Sequence, residues 1–287
     1  MSSLTALYDR LGETRRTFRC CDTEFVVQVA GVRAGAAVMA ARQRVESLES
    51  QLDAFDPTSA VSRLNRDGTV VNEHVARIVR RGLAYHDRTD GVFDIRQGTT
   101  EKRLKKFLRG ADDSAPERFE TATVEVDGDR VSADRPLDLN GLAKGYIVDR
   151  AASALAGIGR RGFVSGGGDM SPPTGPVGIE SPYDDSRLKT LDTDWSVATS
   201  GGYRRHRDGV DHVYDPTTET VGSRHDSVTV LARRDCMEAD ALATTLAASP
   251  LDDARSLAEQ WPGLEALIVH GGVFHATDGF RSHVTDT

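Results

Sequence analysis

Short apolar runs alternate along this chain with longer segments whose apolar residues recur at steps of three and four. No other feature restricts the fold as strongly. Phe25–Val29, Phe163–Val164 and Val228–Leu231 read as strands. Val38, Ala41, Val45, Leu48, Leu52 and Phe55 fall on one face of a helix. Asp56-Pro57 ends it, because proline lacks an N–H donor and restricts the residue before it. A second helix is expected over about residues 72–88, with Val75, Ile78, Val79 and Leu83 inward, followed by Gly91–Asp94 as a loop or short strand. Ile147, Ala151, Leu155 and Ile158 mark another, and Cys236–Ala248 reads as an apolar, Ala-rich helix. Asp127-Gly128-Asp129 and Gly271-Gly272 lie between strand-like runs as hairpin signals. Residues 171–194, rich in Pro, Asp and Ser, should be loop with short strands. The elements do not follow a strict βαβ repeat, so a mixed α+β architecture is expected. Residues 1–17 read as a polar leader and 18–287 as the folded unit.

A chain of 287 residues has room for one large domain or two lobes. Its net charge is −8, built from 30 Asp and 14 Glu against 31 Arg and only 5 Lys. That acidic, Lys-poor surface lacks the basic face a general nucleic-acid binder needs, and it suits a saline solvent. Cys20, Cys21 and Cys236 form no disulfide framework and point to a reducing compartment; without CxxC spacing they give no zinc signature. The start lacks the apolar core of a signal peptide, and no apolar run approaches the length of a membrane span. The expected location is the cytoplasm.

Candidate chemistry is scattered but ordered. Asp240 and Thr244 stand at i and i+4 on the apolar helix, one above the other. A carboxylate and a hydroxyl are poor packing groups and good hard-oxygen ligands for Mg²⁺. A helix-start cap at Asp240 with Thr244 bonded back to a carbonyl is the structural alternative. Gly166-Gly167-Gly168-Asp169 follows a strand and would let backbone N–H groups approach a phosphate, or simply make a tight turn. His212 has a side chain that can take a proton near neutral pH. The cluster Lys102, Arg103, Lys105, Lys106 and Arg109 reads as a solvated helix face or as a contact for a phosphate or acidic partner. His206, His225, His270, His275 and His283 show no HExxH spacing.

DLNGLAKGYIVD (138–149), VSGGGDM (164–170), VATSGGYRRH (197–206), DHVYDPTT (211–218) and ADALATTL (239–246) occur in this order, with Ser59–Asn65 and Asp90–Asp94 upstream. Together these blocks resemble the ApbE family, the FAD:protein FMN transferases, over roughly residues 21–275. The resemblance implies a two-lobed α+β fold with mixed or antiparallel sheets and FAD in the cleft between the lobes. It implies Mg²⁺-dependent cleavage of the FAD pyrophosphate, release of AMP, and attachment of FMN through a phosphoester to a Thr or Ser of an acceptor protein.

By the same resemblance, Asp240, Thr244 and the backbone oxygen of Ala143 hold the metal. Cys21, Phe55, Val92, Phe93, Asp94, Asn140, Tyr146 and Val213 meet the flavin side. Lys144, Gly167, Gly168 and Asp169 lie by the phosphates, and His212 is the candidate base, with Asp240 the second catalytic group. Of the family's Met-Gly-Thr start only Thr23 remains beside Cys21. Three departures stand out: Asp94 is followed by the polar run Ile-Arg-Gln-Gly-Thr-Thr, the DPxTG turn ends in Glu219, and the lipoprotein or export signal of many bacterial members is not expected here, so a cytoplasmic or cytoplasm-facing acceptor is. A Mg²⁺-dependent FAD pyrophosphatase and a non-catalytic flavin-binding protein would share these motifs.

Overall fold

The computed structural model describes residues 13–31, 34–157, 162–201, 207–208 and 210–285. The strands are β1 (Glu13–Cys20), β2 (Thr23–Ala30), β3 (Thr69–Val71), β4 (Val124–Asp127), β5 (Arg130–Ala133), β6 (Gly162–Gly166), β7 (Asp169–Met170) and β8 (Val177–Glu180). They continue with β9 (Arg187–Leu191), β10 (Ser196–Ser200), β11 (Tyr214–Asp215), β12 (Thr220–Val221), β13 (Ser227–Ala232), β14 (Leu264–His270) and β15 (Val273–Ala276). The helices are α1 (Ala34–Leu52), α2 (Ala60–Asp67), α3 (Glu73–Arg88), α4 (Gly98–Leu108), α5 (Asn140–Gly157), α6 (Cys236–Ala248) and α7 (Leu251–Gln260).

One eight-stranded sheet, ordered β1-β2-β6-β7-β10-β13-β14-β15, is antiparallel throughout. A three-stranded sheet, β3-β5-β4, and the pairs β8-β9 and β11-β12 complete the α+β architecture. Helices α1, α5 and α6 pack with the central strands in the main apolar core. A smaller core of Ile179, Leu191, Val197, Leu231, Leu267 and Phe280 joins β8 and β9 to the sheet.

The local signals explain most elements. Asn72 caps α3, its side chain accepting from the N–H groups of His74 and Val75 at 3.0 Å. Ser59 caps α2 in the same way, which makes a helix of the Ser59–Asn65 block. Helix α1 ends at Leu52, so Phe55 lies beyond it and is 53% exposed rather than part of the buried stripe. Residues 13–17, read from sequence as leader, run in the edge strand β1; residues 1–12 lie outside the described residues, as do Ile158 and Gly202–His206.

Helix α6 is buried on all sides, with every residue in it except Thr244 buried, including Glu238 and Asp240. It crosses α5 at Gly145, where a Cβ would come within 2.6 Å of the Cys236 carbonyl oxygen and 2.8 Å of Met237 Cα. Beside that contact, Asp149 of α5 accepts from the N–H groups of Cys236 and Met237 at 2.8 and 2.9 Å, satisfying two donors at the start of α6. At the far end of α6, the buried His225 lies 3.0 Å from the Ser249 carbonyl oxygen and from His270 Nδ1. In the neutral pair, His225 Nε2 donates to Ser249 and His225 Nδ1 accepts from His270. Burial first, and then His270, push the His225 pKa down to about 4.

Two expectations follow. Gly145→Ala should lower the unfolding free energy by about 1–3 kcal/mol through overpacking against rigid backbone, read as a drop in denaturant midpoint. His225 stays neutral in the fold while the unfolded chain protonates near pH 6.5. Its contribution is therefore complete above pH 6.5 and is lost as pH falls toward about 4. Between pH 7.5 and 4.5, His225→Gln should lose about 2–3 kcal/mol less stability than the wild type; equal losses would disprove the assignment.

Candidate active site

A cleft of about 470 Å³ opens where the tips of β1–β2 and β6–β7, the 92–95 loop, the starts of α4 and α5, and helix α6 meet. That volume lies within the range of small-molecule sites. Of the residues singled out from sequence, Cys21, Val92, Phe93, Asp94, Asn140, Lys144, Gly167, Gly168, His212, Asp240 and Thr244 line it. They come from segments as far apart in sequence as the first hairpin and the sixth helix.

The floor is a cluster of oxygens around one ammonium. Asp240 Oδ2 accepts from the Gly145 N–H at 3.1 Å, which fixes its carboxylate against the second turn of α5. Lys144 Nζ lies 2.9 Å from Asp169 Oδ2 and 3.8 Å from Asp240 Oδ1. Burial works against the Lys144 charge, but Asp169 and then Asp240 outweigh it and hold the ammonium protonated. Burial, and then repulsion from Asp240, push the Asp169 carboxyl well above its usual range. Asp169 Oδ2 is buried with no hydrogen bond aligned on it.

The two adjacent threonines of α6 behave differently. Thr245 bonds back to the Ala241 carbonyl at 2.8 Å. Thr244 faces the cleft beside Gly141, and its hydroxyl has no partner among the described residues. Asp235, not Asp240, is the helix cap. These facts remove the capping alternative for both residues. Two carboxylates that share one ammonium and an unused hydroxyl are oxygen groups of the kind a hard divalent cation takes.

Above this floor, Gly167 and Gly168 turn at φ 58° and 101°. A Cβ on Gly167 would meet Thr23 Oγ1 at 2.7 Å, so only glycine lets the two hairpin tips close on each other. Exposed His212 is presented by buried Asp211, whose carboxylate accepts from the Val213 and Ser223 N–H groups at 2.7 and 2.9 Å. The loop ends at Glu219, which sits at φ 51°, a left-handed position that glycine occupies without strain. Its carboxylate accepts from the Phe119 N–H at 3.3 Å.

Five predicted residues do not line the cleft. Tyr146 is two residues past Lys144, about 200° around the helix, and its buried hydroxyl lies 2.7 Å from His74 Nδ1 in the core. Val213 is buried between His212 and Tyr214, as alternation along extended backbone requires. Ala143 sits in the first turn of α5 with its side chain against the core. Asp169 lies beneath the glycine turn and reaches the cluster only through Lys144 and Asp240. Phe55 stands outside the rim, under the Lys105 and Arg109 cations at 4.8 and 4.9 Å.

The polar run after Asp94 has a local purpose. Arg96 and Gln97 saturate the buried Asp94 carboxylate, at 2.8 Å from Arg96 Nε and 3.0 Å from Gln97 Nε2.

Sequence reasoning missed a second polar group in the cleft. Tyr214 donates to Asp138 Oδ2 at 2.8 Å, and Asn140 Nδ2 donates to Glu101 Oε1 at 3.0 Å. Glu101 also pairs with Lys105. Burial, and then Asp138, push the Glu101 pKa up to about 7. The i, i+4 pair Glu101–Lys105 was visible in the sequence, but its turn toward the cleft was not. Lys102, Arg103, Lys106 and Arg109 remain solvated.

Fold and site together define an α+β protein with a cleft floored by carboxylates and walled by glycine turns. The ApbE family model matches residues 21–268, and the chain belongs to the ApbE family. It is 27% identical over 277 residues to the FAD:protein FMN transferase of Vibrio cholerae serotype O1, covering 85% of this chain and 80% of that protein. The FAD:protein FMN transferase of Treponema pallidum is 28% identical over 292 residues, with the same coverage of 85% and 80%. In fold it matches the crystal structure of the ApbE protein of Thermotoga maritima, with a TM-score of 0.84, 24% identity, and 96% of this chain and 100% of that one covered.

Lys144→Met leaves Asp169 and Asp240 facing each other without a cation and should cost about 3 kcal/mol of stability. Millimolar Mg²⁺ should restore more stability to this variant than to the wild type in melting curves recorded with and without a chelator. Equal shifts in the two proteins would remove Mg²⁺ from this cluster.

Proposed function

We propose that this protein is a Mg²⁺-dependent FAD:protein FMN transferase, which moves FMN from FAD to a Thr or Ser hydroxyl of an acceptor protein and releases AMP. The observation that carries this reading is the juncture of α5 and α6, where Asp240, Thr244 and Lys144 meet on one cleft wall beside the Gly167–Gly168 turn. Two relatives are named FAD:protein FMN transferase.

The cleft lining carries Asp94, Glu101, Asp138, Glu180 and Asp240 against Lys105 and Lys144. An anionic dinucleotide entering it needs added positive charge. Asp240, Thr244 and the Ala143 carbonyl would hold Mg²⁺, with Asp169 supporting them, and the ion would supply positive charge to offset that of the diphosphate. Lys144 and the glycine-turn N–H groups add fixed donors. Cys21, Val92, Phe93 and Asn140 face the flavin half.

His212 accepts the proton of the acceptor hydroxyl as its oxygen bonds to the FMN phosphorus. The bond from that phosphorus to the bridging oxygen breaks, and the electron pair leaves with AMP. All three cysteines are free thiols, in keeping with a cytoplasmic location.

Incubation with FAD, Mg²⁺ and an acceptor should put covalent flavin fluorescence on the acceptor band of a denaturing gel. Asp240→Ala should cut the rate by at least about 10²-fold. Normal FAD binding without transfer to any acceptor, together with AMP and free FMN released in its absence, would replace this reading with a pyrophosphatase.

A further inference from the structure

Cys20, Cys21 and Glu49 bring three metal-binding atoms within 4.8 Å of one another at the tip of the β1–β2 hairpin. We propose that these residues bind a thiophilic divalent cation of the Zn²⁺ type, with a fourth coordination position open toward the cleft.

The geometry matches that ion. The two sulfurs are 3.7 Å apart. Two thiolates at Zn–S bond length on a tetrahedral ion stand about 3.8 Å apart. Adjacent residues of a strand normally point to opposite faces. Here Cys20 pairs with Thr23, and the two-residue turn between them holds Cys21 at φ 52° and Asp22 at φ 56°. That left-handed turn swings Cys21 back beside Cys20. Glu49, on α1, is held at the turn by the Cys21 N–H, which it accepts through Oε1.

Cys20 is buried and closes the inner side. Cys21 and Glu49 are half-buried, and Cys21 lines the cleft, so the outer side is accessible. Two Zn–S bonds form as two S–H bonds break, and the protons pass to solvent. The spacing rule that gave no zinc signature missed this site because the third ligand stands 28 residues away, on a helix.

The test is a titration of the whole chain, stripped with a chelator and kept reduced with a phosphine, using Co²⁺ as a coloured substitute for Zn²⁺. A thiolate-to-cobalt charge-transfer band should grow to saturation at about one equivalent and disappear when Zn²⁺ is added. Cys21→Ser, at a half-exposed turn, should abolish the band while circular dichroism shows the fold intact. Glu49→Gln should keep the band but shift the titration midpoint by about tenfold or more. Cys236→Ser and Asp240→Ala should leave band and midpoint unchanged, which separates this site from the proposed Mg²⁺ centre and from flavin transfer. No band on folded wild-type protein, or a band that survives Cys21→Ser, overturns the proposal.

Discussion

Helices α5 and α6 exchange carboxylates at their crossing. Asp149 of α5 receives the first N–H groups of α6, and Asp240 of α6 receives the N–H of Gly145 in α5. The exchange works only because Gly145 has no side chain to hold the backbones apart. Without Asp149, the start of α6 would bury the Cys236 and Met237 donors without partners, a penalty comparable to losing a hydrogen bond for each one. The same crossing sets the distance from Lys144 to Asp169 and Asp240, and so the electrostatics of the cleft floor. Stability and site chemistry are thus consequences of one contact.

The acidity of the chain takes on a specific meaning in this setting. Long-range attraction cannot draw an anionic ligand to a protein of net charge −8. Under the proposed function, recognition has to be local, from Lys144, backbone N–H groups and a cation that the carboxylates would hold. The buried Asp169 carboxylate is tolerable in that setting because the Lys144 ammonium lies 2.9 Å from it.

Legibility differed between elements for physical reasons. Helices α1 and α3 announced themselves through their apolar stripes, and α6 through its Ala- and Leu-rich run. The i, i+4 spacing of Asp240 and Thr244 placed both on one face, and the fold turns Thr244 to the cleft while Thr245 bonds back to its own helix. Tyr146 and Val213 were placed at the flavin side by the family resemblance. In the fold, helical rotation and strand alternation bury both side chains. The Glu101–Asp138–Tyr214 group was hidden because its members meet only when α4, the start of α5 and the 212–214 segment converge.

The sequence by itself determined the element types, the α+β class, the family and the Asp240–Thr244 pair, because these rest on local periodicity and on motifs read within a dozen residues. Tertiary structure alone decided which of those residues share a surface. It set Asp169 against Asp240, Phe55 under Lys105, and Glu49 beside Cys20 and Cys21. Chain spacing carries no information about such meetings, since the sheet order and the helix crossing angles that create them come from packing of the whole core.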